Sequence, residues 1–173
     1  MLLPEADAGS PPGLTLQSFT ASALFERTFD EGMSLVEETA HYLDGRGRQE
    51  SRDLPRKTAL LYAGESMRVT TRLMQAASWL LIQRAVHDGE MRAEDAAGDR
   101  YRLGSKDICL GGRTENIEEL PKKLQDLLSR SDHLYRRIAR LDEALFGQDR
   151  PHGVHAHFDR LQQNFGGLGG EAG

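Results

Sequence analysis

LPRKTALLYAGESMRVTTRLMQAASWLLIQRAVH, from Leu54 to His87, decides the fold. After Pro55 it contains no proline and a single glycine, Gly64, so nothing interrupts a helix that would extend roughly 50 Å at about 1.5 Å per residue. Ala63, Gly64, Thr70, Thr71, Ala76, Ala77, Ser78 and Ala85 stand where a simple core helix carries leucine. A helix that is small or apolar on more than one side needs several neighbours. Its limits are signalled by Asp53 as an N-cap, Pro55 in the first turn, and Asp88-Gly89 as a stop, which places it at residues 53–88.

Two further helices supply neighbours. Upstream, Phe25, Phe29, Met33, Val36, Ala40 and Leu43 step by fours and threes, which predicts a helix over residues 18–44 closed by Gly45. GRGRQESR, Gly45 to Arg52, is expected to be a turn. Downstream, Leu120, Leu124, Leu127, Ser131, Leu134, Ile138, Leu141 and Leu145 form a heptad seam over residues 118–146, closed by Gly147. Residues 89–117 show no sustained period and are expected to be an irregular loop. The prolines and glycines of residues 1–17 predict a disordered leader, and the glycine-rich residues 148–173 a disordered tail. The expected architecture is all-α: an antiparallel three-helix bundle over residues 18–147. The small-residue surface left on the central helix predicts a homodimer.

Composition narrows the function classes. With 173 residues, 38% hydrophobic and 28% charged, the chain suits one globular domain. The opening MLLPEADAGSPPG has acids where a signal peptide has basic residues, and the longest apolar run is too short to cross a bilayer, so a cytoplasmic protein is expected. The single cysteine, Cys109, forms no intrachain disulfide and fits a reducing compartment. The net charge of −5 argues against nonspecific nucleic-acid binding. Residues 18–46 are acidic on balance, whereas residues 53–89 and 120–146 are mildly basic, so the helices are expected to complement one another.

No constellation completes a catalytic or metal site. Glu38-Thr39-Ala40-His41 has the Glu-x-x-His spacing of di-iron bundles, which need two copies and two more glutamates. His152, His155 and His157 lie in a glycine-rich stretch whose ordering opposes chelation. Gly64-Glu65-Ser66-Met67-Arg68 lacks the second glycine of a nucleophile elbow, and Gly111-Gly112-Arg113 lacks the strand and the Lys-Ser or Lys-Thr of a phosphate loop. No catalytic, metal-ligating or cofactor-binding residue is therefore expected. Glu65, Arg68, Arg72 and Arg84 on the long helix are read as an ion-pair network, with Glu65 pairing to Arg68 or Arg72 along the helix or across an interface, and Trp79 as core of the bundle or dimer.

The segments SFTASALFERTFDEGMSLVEETAHYLDGRGR, Ser18 to Arg48, and YAGESMRVTTRLMQAASWLLIQRAVHDGEM, Tyr62 to Met91, resemble the alphaproteobacterial regulators of CtrA degradation, the RcdA family. The resemblance implies a three-helix-bundle homodimer with a disordered C-terminal tail. It also implies a non-enzymatic adaptor that helps deliver substrates, among them the response regulator CtrA, to the ClpXP protease. Matched by motif, Arg68, Thr71, Arg72, Leu73, Met74, Trp79, Leu80 and Arg84 become scaffold and interface positions. Phe158, Leu161 and Phe165 are the apolar anchors of the tail and the expected partner-binding motif. The alternatives are a dimeric cell-cycle scaffold with no protease role and, further off, a DNA-binding regulator or an enzyme.

Overall fold

The computed structural model describes residues 15–112 and 114–147, and all regular structure among them is helical. The first helix, α1 (Leu16–Thr20), begins before the expected Ser18, because Thr15 and Ser18 cap each other's backbone N–H groups. Ser22 then accepts from the Phe25 N–H at 3.2 Å and starts a new helix. The expected single helix over 18–44 is thus α1 followed by α2 (Ala23–Asp44).

The expected turn at Gly45–Arg52 is instead a short helix, α3 (Arg46–Arg52). Its cause is non-local. Gly47 packs between two tyrosines, and a Cβ there would lie 2.7 Å from both Tyr42 Cε1 and the Tyr62 hydroxyl, so a side chain has no room. Glu50, one turn along, takes a hydrogen bond from the Tyr42 hydroxyl at 2.8 Å and pairs with Arg46. The long helix α4 (Arg56–His87) starts just after Pro55 with no side-chain cap, so Asp53 does not serve as one.

The chain between α4 and the last long helix, α7 (Lys122–Phe146), is a return strap. It contains α5 (Ala93–Ala96), α6 (Lys106–Cys109) and two 3-10 turns at Asp99–Tyr101 and Ile117–Glu119. It travels back down α4 contact by contact. The Gly104 N–H donates to Gln75, Arg72 donates to the Cys109 carbonyl, Arg68 to the Gly112 carbonyl, and Thr58 to Glu119. Consequently α7 runs parallel to α4: Arg72 meets Leu128 and Asp132, and further along Trp79 meets Asp142. This corrects the up-and-down antiparallel arrangement read from the sequence. Only α2 runs against its two long neighbours, with Glu26 beside Arg84 of α4 and Glu31 beside Arg137 of α7.

The predicted α7 seam is the core. Leu120, Leu124, Leu127, Ser131, Leu134 and Ile138 are buried, with Leu141 and Leu145 partly so. They pack with Phe19, Phe25, Leu35, Val69, Leu73, Trp79 and Leu80. Phe19 of α1 stacks against Trp79 at 6.1 Å between ring centres. Gly32 lets α2 close on Leu80, since a Cβ there would come within 2.6 Å of its methyl. Among the described residues no helix is long and apolar enough to cross a membrane.

The charge complementarity read from the sequence is present as ion pairs. Glu38 of α2 receives Arg130 at 2.8 Å together with Lys123, and Glu31 receives Arg137 at 2.9 Å. Hydrogen bonds from Arg130 and then Lys123 hold the Glu38 carboxyl down at about 2, from an ordinary 4.5. Because the folded value lies below the unfolded one, this stabilisation is complete above about pH 4.5 and is lost as pH falls toward 2. With solvent screening it amounts to about 1 kcal/mol. Glu38→Gln should therefore melt lower than the wild type at pH 6, and the gap in Tm should close between pH 4.5 and pH 2.

Candidate functional site

Most polar residues singled out on α4 are engaged inside the chain. The Arg72 guanidinium is almost wholly buried; it donates through Nε to the Cys109 carbonyl at 2.9 Å, reaches the Leu128 carbonyl at 3.3 Å, and pairs with Asp132 at 3.0 Å. Burial pushes its pKa down and Asp132 opposes that, yet arginine remains charged. Buried Glu65 accepts from the Thr114 hydroxyl at 2.6 Å and faces Arg68, one turn on, at 3.7 Å. Arg68 also donates to Thr114 and to the Gly112 carbonyl. Arg84 pairs with Glu26 at 2.7 Å and lies over the Phe29 ring. These contacts join α4 to its own strap, α2 and α7, and the Glu65–Arg68 pair lies along the helix, the first of the two arrangements expected for it.

Trp79 is in the core, as expected of one reading, and its indole N–H donates to Asp142 at 3.0 Å. Asp142 is fully buried and also accepts from Arg102 at 2.9 Å and from the Leu103 N–H at 3.3 Å. Neither Asp142 nor Arg102 was singled out from the sequence. The available signal was a carboxylate on the buried stripe Ser131, Tyr135, Ile138, Asp142, where every other position is small or apolar.

Glu38 is occupied by Arg130 and Lys123, which explains its spacing to His41 as a coincidence of one helical face. Burial pushes the Cys109 thiol up, away from the thiolate that reactive cysteines need. Phe158, Leu161, Phe165 and the three tail histidines lie outside the described residues, as does most of the expected leader.

What α4 leaves outward is an apolar stripe. Leu60, Met67, Met74 and Leu81 recur every seven residues and are 70, 72, 65 and 52% exposed. Ala63, Gly64, Thr70 and Ser78 lie between them, also exposed, and nothing would obstruct a Cβ on Gly64. Of the six interface candidates only Met74 is on this stripe. Beside it, Val36, Thr39, Ala40 and Leu43 of α2 and Thr70, Leu73 and Ala77 of α4 line an apolar groove of about 190 Å³. Exposed side chains at a heptad interval with small residues between them form a surface onto which another helix can close tightly.

A family model described as a protein of unknown function, DUF1465, matches residues 16–165. No curated protein matches the chain. The crystal structure of RcdA from Caulobacter crescentus CB15 is 52% identical, covers 75% of this chain and 97% of its own, and superposes with a TM-score of 0.62. The chain belongs to the RcdA family. RcdA similarity extends well past the two segments that first suggested it, because the family match continues through the third long helix to Phe165.

The Asp142 cluster gives a direct test of how much the buried polar contacts contribute. Asp142→Ala leaves the Arg102 guanidinium, 9% exposed, with only the exposed Glu143 carboxylate at 3.7 Å. Removing one partner of a buried ion pair costs about 3–5 kcal/mol. Urea denaturation should show a loss of that size, and a loss below about 1 kcal/mol contradicts the assignment.

Proposed function

We propose that this protein is a non-enzymatic, cytoplasmic adaptor in regulated proteolysis, acting as a homodimer that brings substrates or further adaptors to the ClpXP protease. The observation that carries it is the exposed stripe Leu60, Met67, Met74 and Leu81 on α4. Membership of the RcdA family supports the proteolytic setting, with response regulators such as CtrA as the cargo class. Tethering raises the local concentration of a substrate near the protease without altering the chemistry of cleavage.

The stripe is centred between Thr70 and Thr71, so a two-fold axis there sets Leu60 of one copy against Leu81 of the other and Met67 against Met74, with the two α4 helices antiparallel. Burying one such side chain is worth about 2 kcal/mol, and eight of them give roughly 10 kcal/mol after allowing for partial burial already present. Association costs about 4–15 kcal/mol, so close approach at Gly64, Thr70 and Ser78 decides the affinity. The same stripe also favours the scaffold reading, in which dimerisation is the whole function.

Light scattering at micromolar concentration should return a dimer for the wild type and a monomer for Met67→Glu combined with Met74→Glu, with the helical circular dichroism unchanged. A wild-type monomer removes the dimer from the proposal. In a reconstituted assay with ClpXP and labelled response regulator, the wild type should accelerate degradation. Deleting residues 148–173, which removes Phe158, Leu161 and Phe165, should abolish that acceleration while leaving the dimer intact. A dimer that never alters degradation supports the scaffold instead.

A further inference from the structure

Between α4, α7 and the end of the return strap lies a second concavity, of about 410 Å³, that the adaptor reading does not use. Its walls include Arg68, Arg72 and Arg136 alongside Glu65 and Asp132, and its lip is Gly111, Gly112 and Thr114. The chain as a whole is −5, yet among the described residues of this lining the arginines outnumber the acids. Both acids are already engaged: Glu65 by Thr114 and Arg68, Asp132 by Arg72 and Arg136. Arg136 is different. It is exposed and commits only its Nε, at 2.8 Å to Asp132. Among the described residues nothing takes up its two terminal nitrogens or the backbone N–H groups of Gly111, Gly112 and Thr114. A Cβ on Gly112 would meet nothing within 4 Å, so the lip is open at that residue.

We infer that this cavity binds a carboxylate of a partner peptide, through the terminal nitrogens of Arg136 and the amides of the Gly111–Gly112 lip. Guanidinium and backbone N–H groups are the donors that hold carboxylates in peptide-end and acidic-motif recognition. The choice of a single negative charge follows from the two acids in the same walls: Glu65 and Asp132 oppose a phosphate dianion more strongly than a carboxylate. Side-chain and C-terminal carboxylates share this chemistry. The inference rests on the adaptor reading only for the source of the peptide, and carboxylate binding stands or falls without any protease.

The experiment is an NMR titration of the full-length protein, reading the Gly111, Gly112 and Thr114 amides. The probes are N-acetyl-glutamate α-amide, N-acetyl-alanine and inorganic phosphate at constant ionic strength. Saturable shifts confined to the three lip amides with at least one carboxylate probe, weakened tenfold or more by Arg136→Gln, support the site, and the stronger of the two probes names the source. Arg136→Gln changes an exposed side chain, so its amide spectrum should otherwise overlay the wild type. Shifts that do not saturate, that survive Arg136→Gln, or that are stronger with phosphate overturn the inference.

Discussion

The arrangement depends on one topological constraint: α4 and α7 point the same way, so the chain must travel the length of α4 before α7 can begin. The strap buries Leu103, Cys109 and Leu120 in the core. Buried polar side chains fix its path as well. Arg72 joins α4 to the Cys109 carbonyl of the strap and to Leu128 and Asp132 of α7, and Asp142 joins α7 to Trp79 of α4 and to Arg102 and Leu103 of the strap. Each residue ties the same three pieces of chain. Such groups add little net stability over apolar packing but discriminate against other arrangements, because any other path leaves a buried charge unpaired. They therefore select this path for the strap.

With the strap, α2 and α7 around it, α4 is enclosed on three sides, and each side has a different chemistry. Toward the core shared with α2 and α7 it presents Val69, Leu73, Ala76, Trp79 and Leu80, with Leu80 against Gly32 of α2; toward the strap it presents Glu65, Arg68 and Arg72. The fourth side is Leu60, Met67, Met74 and Leu81. Two of those four are methionines, whose unbranched thioethers repack around different partners at low cost. A surface of that composition suits recognition of more than one helix.

The parts of this fold legible from sequence were those written in a single period. The α7 seam satisfies one face, so its spacing named the buried residues nearly one for one. In α4 several faces are apolar at once, and the exposed residues at 60, 67, 74 and 81 are interleaved with buried ones at 62, 69, 73, 76 and 80. Periodicity alone does not say which set meets water. Met74 was named through family likeness, while its three stripe neighbours passed unnoticed despite their seven-residue interval. The direction of α7 was also beyond reach, since a heptad pattern reads alike in either sense. Helix α3 looked like a turn because its cause, Gly47 against Tyr42 and Tyr62, is a contact across the fold.

The parallel course of α4 and α7 also fixes where the two ends of the described chain lie. Phe19 of the first helix stacks on Trp79, and the last helix brings Asp142 to the same indole. The described chain thus begins and ends near one pole. Toward the other pole, beside the start of α4, is α3, packed against Tyr42 of α2 and Tyr62 of α4. A label near residue 16 or residue 146 reports from the Trp79 pole, while a label on the exposed Arg46 or Arg52 reports from the far one. Pairs of labels chosen this way give a ruler of roughly 35 Å along α4.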